Sequence, residues 1–486
     1  MYLINRNHEF HYEMENLLRI FFPEKIVVAS DLPEEGDWCV TSLDKSEITV
    51  ELCLDGAVFS EKKVFPLSDK LSDESDDSYL ERKMAIMLFD LLKEKTGYTP
   101  PWGILTGVRP AKLMTNLVRK YGELWAITYF TDELMVSEEK TKLAFLVSSA
   151  ENPIIEEASS PDSFSLYISI PFCPTRCSYC SFISHSNESA KKLIPAYVEK
   201  LCQEIQATGE IAKKLNLKLE SIYIGGGTPT VLSALQLKQV TDCVRDNFDL
   251  SHIKEYTIEA GRPDSVSDDK FKVIRNSGCT RISINPQTFN DDVLKEIGRQ
   301  HTSQMTLDAM KMARENGFSN INMDLIAGLP TDTLESYEHT LDTVLSLNPE
   351  NITVHTLALK RSSNIVTENR RTNSGVLACQ MLSLTQERLT EAGYVPYYMY
   401  RQSKCLGNLE NVGWAKKGFE GLYNVYMMEE CHTVLAVGAG AVIKLKAPHS
   451  NEIERIFNYK YPYEYISGFD EIIKRKENIF SFYEKN

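Results

Sequence analysis

Between residues 164 and 359 six short runs rich in β-branched and aromatic residues recur with longer helix-patterned stretches between them, and this alternation constrains the fold more than any other feature. The runs are FSLYISI (164–170), LESIYIG (219–225), EYTIEA (255–260), RISI (281–284), INMDLI (321–326) and ITVHTLAL (352–359). Helical spacing fills KKLIPAYVEKLCQEIQATGEIAKKL and residues 334–346. Strands separated by crossover helices pair in parallel, so the pattern predicts βαβ units, and six of them an open or partial barrel. Reacting groups in such folds gather at the C-terminal ends of the strands.

The stretch PFCPTRCSYCSF (171–182) follows the first run directly, so Cys173, Cys177 and Cys180 lie on a loop at that end. A closed tetrahedral zinc site or a fully ligated iron–sulfur cube needs four protein ligands, and C-x3-C-x2-C supplies three. A zinc knuckle completed by His185 and a chance cluster of thiols are the bland alternatives. In a [4Fe-4S] cluster the set leaves one iron open to a small molecule that offers an amine and a carboxylate, as S-adenosylmethionine does. Electron transfer from the reduced cluster then cleaves the sulfonium bond and releases a 5′-deoxyadenosyl radical. The second signal is YIGGGTPT (223–230), where three glycines at a strand end let the backbone approach a ligand closely.

The remainder of the chain bounds these readings. With 486 residues, 43% of them hydrophobic, two or three domains are expected. A net charge of −15 argues against a general nucleic-acid binder, and no run reaches the roughly 20 apolar residues of a membrane span. The N-terminal MYLINRNHEFHYEMENLL carries no targeting pattern, so a cytoplasmic protein is expected. Eleven cysteines in that reducing setting read as thiols, and the eight outside the cluster motif as buried ones. A helix near 10–22 and strand-like runs up to about 65 predict an N-terminal α+β domain, followed by a solvated acidic loop at SDKLSDESDDS and further helices to about 150. ENPIIEEASSPDS (151–163), with two prolines, reads as a linker. The expected divisions are 1–160 (accessory domain and linker), 161–374 (barrel) and 375–486 (C-terminal α/β extension covering the barrel). VGAGAV (437–442) reads as a tight packing turn rather than a phosphate loop.

Taken together, CPTRCSYC, GGGTPT, TIEAGRP, SINPQTFND, IGRQHT, MDLIAGLP and YRQSKCLGNLENVGW resemble the radical S-adenosylmethionine enzymes of the oxygen-independent coproporphyrinogen III oxidase (coproporphyrinogen dehydrogenase) family, in its longer HemZ branch. The resemblance covers residues 164 to about 445 and implies a partial (β/α)6 radical SAM barrel. It implies a [4Fe-4S] cluster on Cys173, Cys177 and Cys180 and S-adenosylmethionine held by Tyr167, Tyr179, Gly226, Gly227, Thr228, Glu259, Gln287, Arg299, Asp324 and Ala358. Tyr167 matches a tyrosine near the cofactor carboxylate, Tyr179 the aromatic residue packed on adenine, and Gly226, Gly227 and Thr228 the contact with the methionine moiety. Arg299 is a natural charge partner for Asp324 as well as a ligand contact. Porphyrin metabolism, a tetrapyrrole substrate and an electron donor for the cluster follow from the same resemblance.

Two departures keep the reaction open. Dehydrogenases of this family carry a fourth cysteine two positions after the third, where this chain has Phe182, a replacement shared with relatives that bind and transfer haem. The haem-transfer signature His-Asn-x-x-Tyr-Trp corresponds here to LYNVYMM, with Tyr423 in the histidine's place and His432 eight residues beyond Asn424. Oxidative decarboxylation of coproporphyrinogen III propionates to protoporphyrinogen IX, haem delivery to an acceptor, and radical methylation of a tetrapyrrole are therefore the three readings carried forward.

Overall fold

The computed structural model describes residues 1–23, 26–158, 160–180, 191–368, 372–402, 404–450 and 452–485; Phe182 and His185 lie outside the described residues. The chain divides into two units, Met1–Phe145 with Gly407–Leu409, and Leu146–Leu406 with Glu410–Asn486.

In the first unit strands β1 (Tyr2–Arg6), β2 (Val27–Val28), β3 (Trp38–Asp44), β4 (Glu47–Leu54) and β5 (Ala57–Val64) form one sheet in the order β2-β1-β3-β4-β5. Strand β4 shows why: Ile48, Val50 and Leu52 are buried while Glu47, Thr49 and Glu51 alternate with them on the wetter face. The buried face meets Met14, Leu17 and Leu18 of the helix His11–Phe21 and Leu80, Met84, Met87, Leu88 and Leu91 of the helix Asp76–Thr96. The acidic run is only partly a loop. Ser75 accepts a hydrogen bond from the Ser78 amide at 3.1 Å and caps that second helix, and Asp76 and Asp77 sit in its first turn, where the helix dipole favours negative charge.

The expected linker is instead the second half of a helix, Glu138–Ala158, with Pro153 inside it. An interior proline costs about 3 kcal/mol in a helix, but Ile154 and Ile155 pack against Tyr397, Tyr398, Ala415 and Val425 and offset that cost. The division between the units accordingly falls at 145/146, ahead of the expected 160/161.

The second unit holds all six expected strands: β6 (Ser163–Ile170), β7 (Lys218–Gly226), β8 (Glu255–Glu259), β9 (Arg281–Ser283), β10 (Ile321–Ala327) and β11 (Asn351–Thr356). They pair in parallel in sequence order. Residues beyond 375 extend this same sheet at both edges rather than forming a layer of their own. Strands β12 (Val395–Arg401) and β13 (Glu410–Ala415) add beside β11, and β14 (Thr433–Val437), β15 (Val442–Lys446) and β16 (Ile453–Phe457) beside β6, giving eleven strands in the order β12-β13-β11-β10-β9-β8-β7-β6-β14-β15-β16. The edge strands β12 and β16 do not pair with each other, so the barrel is open.

Alternation along each strand separates two environments. Leu166, Ile168, Ile170, Ile222, Ile224, Ile258 and Ile282 join one core with the helices Ile194–Lys214, Ala234–Asn247, Asp268–Asn276 and Ser303–Glu315. The intervening positions are polar: Tyr167, Ser169, Tyr223, Glu259, Arg281, Asn322, Asp324 and His355. A helix layer therefore covers the apolar face, and the other face carries the chemistry.

The VGAGAV segment is a packing turn, as expected. Gly438 has φ +96°, and a Cβ there would lie 2.5 Å from the Ser169 carbonyl oxygen. Its amide donates to Glu204 at 2.7 Å, and Glu204 also accepts from Tyr465 at 2.6 Å, from Asn458 at 2.8 Å and, as an ion pair, from Lys476 at 3.0 Å.

Candidate active site at the ends of the parallel strands

The three-cysteine loop leaves β6 and is tied at once to the glycine turn that ends β7. The amide of Gly227 donates to the Ile170 carbonyl at 2.8 Å and that of Thr228 to the Phe172 carbonyl at 2.7 Å. A side chain at 227 would meet the Phe172 carbonyl oxygen at 2.5 Å and the Ile170 oxygen at 2.9 Å, so only glycine fits. These two amides are committed to the loop, so Gly227 and Thr228 tie the glycine turn to it. Gly226, at φ +106°, makes the bend.

Side chains then fix the loop. Thr228 Oγ1 donates to Cys173 Sγ at 3.4 Å. Arg262, buried and paired with Asp264 at 2.8 Å, donates to Thr175 Oγ1 at 3.0 Å and reaches Cys177 Sγ at 3.7 Å. The Ser178 amide bonds the Ile297 carbonyl at 2.9 Å, and the Cys180 amide bonds that of Cys177 at 3.1 Å. Cys177 is buried and Cys173 and Cys180 are half-buried, and none of the eleven cysteines is in a disulfide. Among the described residues no three His, Cys, Asp or Glu side chains are drawn together as a preformed metal site. The donor chemistry nevertheless fits an iron–sulfur cluster: three soft thiols on one loop, with the Arg262 guanidinium 3.7 Å from the sulfur of one of them.

Facing the barrel interior, Tyr223 donates to Glu259 Oε1 at 2.5 Å. Burial, opposed by that hydrogen bond, pushes the Glu259 carboxyl up to about 7. Asp324 accepts from Asn322 Nδ2 at 2.7 Å and lies 3.9 Å from His355 Nε2; these partners outweigh its burial and hold it below the usual carboxylate range. The expected Asp324–Arg299 pair does not form. Arg299 comes from the segment after the helix Asp291–Glu296 and instead donates to the Asn285 carbonyl at 2.7 Å and to the Tyr179 hydroxyl at 3.4 Å.

Gln287 shows the clearest construction for a ligand. It has φ +68°, a left-handed conformation that costs a residue with a Cβ about 1 kcal/mol or more. Its backbone is held there by Asp324 and Ile326, at 2.9 and 3.0 Å, and its buried Oε1 has no partner. Arg299 Nε is likewise buried and unpartnered. Buried unpartnered polar atoms call for an explanation, and at a strand-end site a bound polar molecule supplies one. Ala358 lies two residues beyond the end of β11 and bridges to Cys405.

The C-terminal strands bring one more side chain inside. Tyr423, at the start of the helix Leu422–Glu429, stacks on Tyr223 and Tyr167 at ring-centroid distances of 4.7 and 6.1 Å. Glu255 of β8 accepts from the Leu422 and Tyr423 amides at 2.9 and 3.2 Å and anchors that helix start. His432 is a core residue: it is buried, its Nε2 lies 2.7 Å from Ser165 Oγ, and burial lowers its pKa to about 3. Sequence reasoning passed over Arg262, Tyr223, Asn285 and His355. Arg262 stood within the quoted TIEAGRP, and its place one turn beyond a strand end was the available signal.

A Radical SAM superfamily model matches residues 167–344, the stretch that contains this site. The chain is a radical S-adenosylmethionine enzyme, a class that implies a [4Fe-4S] cluster and S-adenosylmethionine. It belongs to the family of the oxygen-independent coproporphyrinogen-III oxidase-like protein HemZ of Bacillus subtilis, to which it is 34% identical over 97% of this chain and 96% of that one. It is also 41% identical to the heme chaperone HemW of Bacillus subtilis, over 40% of this chain and 51% of that one. The fold is that of coproporphyrinogen III oxidase (HemN) of Escherichia coli, with a TM-score of 0.52 at 24% identity over 68% of this chain and 72% of that one. Among the described residues no helix is long and apolar enough to cross a membrane.

Proposed function

We propose that the protein oxidatively decarboxylates the propionates of coproporphyrinogen III without oxygen, forming the vinyl groups of protoporphyrinogen IX. The observation that carries this reading is Arg299 bonded to Tyr179 of the three-cysteine loop, with the buried Glu259 carboxyl at the strand end of the same barrel, in a chain whose likeness to HemZ runs nearly end to end.

Cys173, Cys177 and Cys180 would hold the [4Fe-4S] cluster, and Tyr167, Tyr179, Gly226, Gly227, Thr228, Glu259, Gln287, Arg299, Asp324 and Ala358 would surround S-adenosylmethionine. The bound pair supplies one-electron radical chemistry. Glu259, ionised above about pH 7, accepts hydrogen bonds from an ammonium or from hydroxyl groups. The unpartnered Oε1 of Gln287 accepts a further one, and Arg299 turns its free Nε–H toward an anionic or carbonyl group. The stacked Tyr167, Tyr223 and Tyr423 put aromatic surface beside Glu259, which would limit water around a reactive species.

Haem delivery is the second reading, favoured by the likeness to HemW. His432, neutral and bonded to Ser165 in the core, is not placed to ligate iron from a bound haem. The test is anaerobic incubation of reduced, cluster-reconstituted protein with S-adenosylmethionine and coproporphyrinogen III. Substrate-dependent vinyl products support the proposal. Cofactor cleavage without vinyl product, together with stoichiometric haem uptake and release to an acceptor, replaces it with haem delivery.

A further inference from the structure

Two cysteines 41 positions apart in sequence, both outside the site described above, are brought into contact on the outer helix layer. Cys202 lies on the helix Ile194–Lys214, which follows β6, and Cys243 on the helix Ala234–Asn247, which follows β7. Cys243 Sγ donates to the Cys202 carbonyl at 3.3 Å, and Cys202 Sγ reaches the Gln239 carbonyl at 3.9 Å.

The backbones approach closely on this face for an independent reason. A Cβ at Gly209 would lie 2.5 Å from the Asn247 carbonyl oxygen, so the two helices meet with no side chain between them two turns beyond Cys202 and one turn beyond Cys243. A disulfide requires Cα atoms about 4.4–6.8 Å apart, which asks for this kind of near-contact between helices. Both residues are half-buried. Cys39, Cys53, Cys279 and Cys405, by contrast, are buried.

We infer that Cys202 and Cys243 are a reversible dithiol–disulfide site that joins the first two crossover helices and is oxidised by low-molecular-weight disulfides. The proximity of the two thiols divides their acidity, lowering Cys243 and raising Cys202, so Cys243 is the attacking group. Its thiolate displaces one thiolate from the small disulfide and forms a mixed disulfide. Cys202, on losing its proton, then attacks Cys243 sulfur and releases the second small thiol. Two protein thiols are oxidised and one small disulfide is reduced to two thiols. Neither cysteine points to the barrel interior, so the site stands whether or not the reaction proposed above is the right one.

The experiment uses the full-length protein, purified anaerobically and titrated with oxidised glutathione, then alkylated and digested with trypsin. The expected product is peptide 201–213 linked to peptide 239–245, formed with the loss of two alkylatable thiols and reversed by dithiothreitol. Cys202→Ser and Cys243→Ser should each stop at a single glutathione adduct on the remaining cysteine. Alkylation rates of the reduced wild type, which need no variant, should show Cys243 reacting before Cys202. Separate glutathione adducts on both residues of the wild type, or no reaction at either, overturns the inference.

Discussion

The phenol of Tyr223 donates a 2.5 Å hydrogen bond to Glu259, joining adjacent strands β7 and β8 at the end of the barrel where the three-cysteine loop begins. That bond opposes ionisation loss, yet burial prevails and leaves the carboxyl titrating near 7. A carboxylate that changes charge near neutrality makes the site sensitive to pH.

An unfolded glutamate titrates near 4.5, so the native state holds this proton more tightly than the unfolded chain does. Stability contributed by Glu259 therefore falls as pH rises from 4.5 to about 7 and is level above that, a difference of about 3 kcal/mol at most. Affinity for S-adenosylmethionine should move the opposite way and weaken as pH drops through 7. Glu259→Gln should flatten both profiles, as read by urea denaturation and by calorimetric titration at pH 5.5 and 8.

Gln287→Gly separates strain from binding. Glycine adopts φ +68° without penalty, so the variant should gain up to about 1 kcal/mol of stability while losing the buried Oε1 acceptor. Higher stability with S-adenosylmethionine affinity reduced about tenfold is the expected pair. Unchanged affinity would remove Gln287 from the site.

Glu204→Ala should be among the most damaging substitutions. It leaves Lys476, 1% exposed, without its carboxylate and strips a hydrogen-bond acceptor from Gly438, Tyr465 and Asn458. A loss of about 3–5 kcal/mol is expected in denaturant titration. A loss below about 1 kcal/mol would mean water enters and replaces the network.

The strands were legible because outward positions such as Leu166, Ile168, Ile222 and Ile258 meet a helix layer and must be apolar, whatever the interior does. The cysteine loop and glycine turn were legible as motifs, but not their mutual bonding through Gly227 and Thr228. Pro153 misled, because tertiary burial of Ile154 and Ile155 overrides a local helix penalty that sequence alone displays. Arg299 and Asp324 were paired by charge, whereas the structure satisfies each with neutral partners and a histidine. Contacts between distant segments, such as Arg262 on Cys177 or Tyr423 on Tyr223, leave no periodic trace in a sequence and appear only once the sheet is assembled.

In the proposed function, Cys173, Cys177 and Cys180 hold an iron–sulfur cluster beside the S-adenosylmethionine site. Anaerobic iron and sulfide analysis with electron paramagnetic resonance, on wild type and Cys177→Ala, tests it most directly. Wild type should carry about four irons per chain with a reduced-cluster signal perturbed by S-adenosylmethionine, and the variant should keep neither the iron nor the signal. Full iron content and an intact, cofactor-responsive signal in Cys177→Ala would contradict the account.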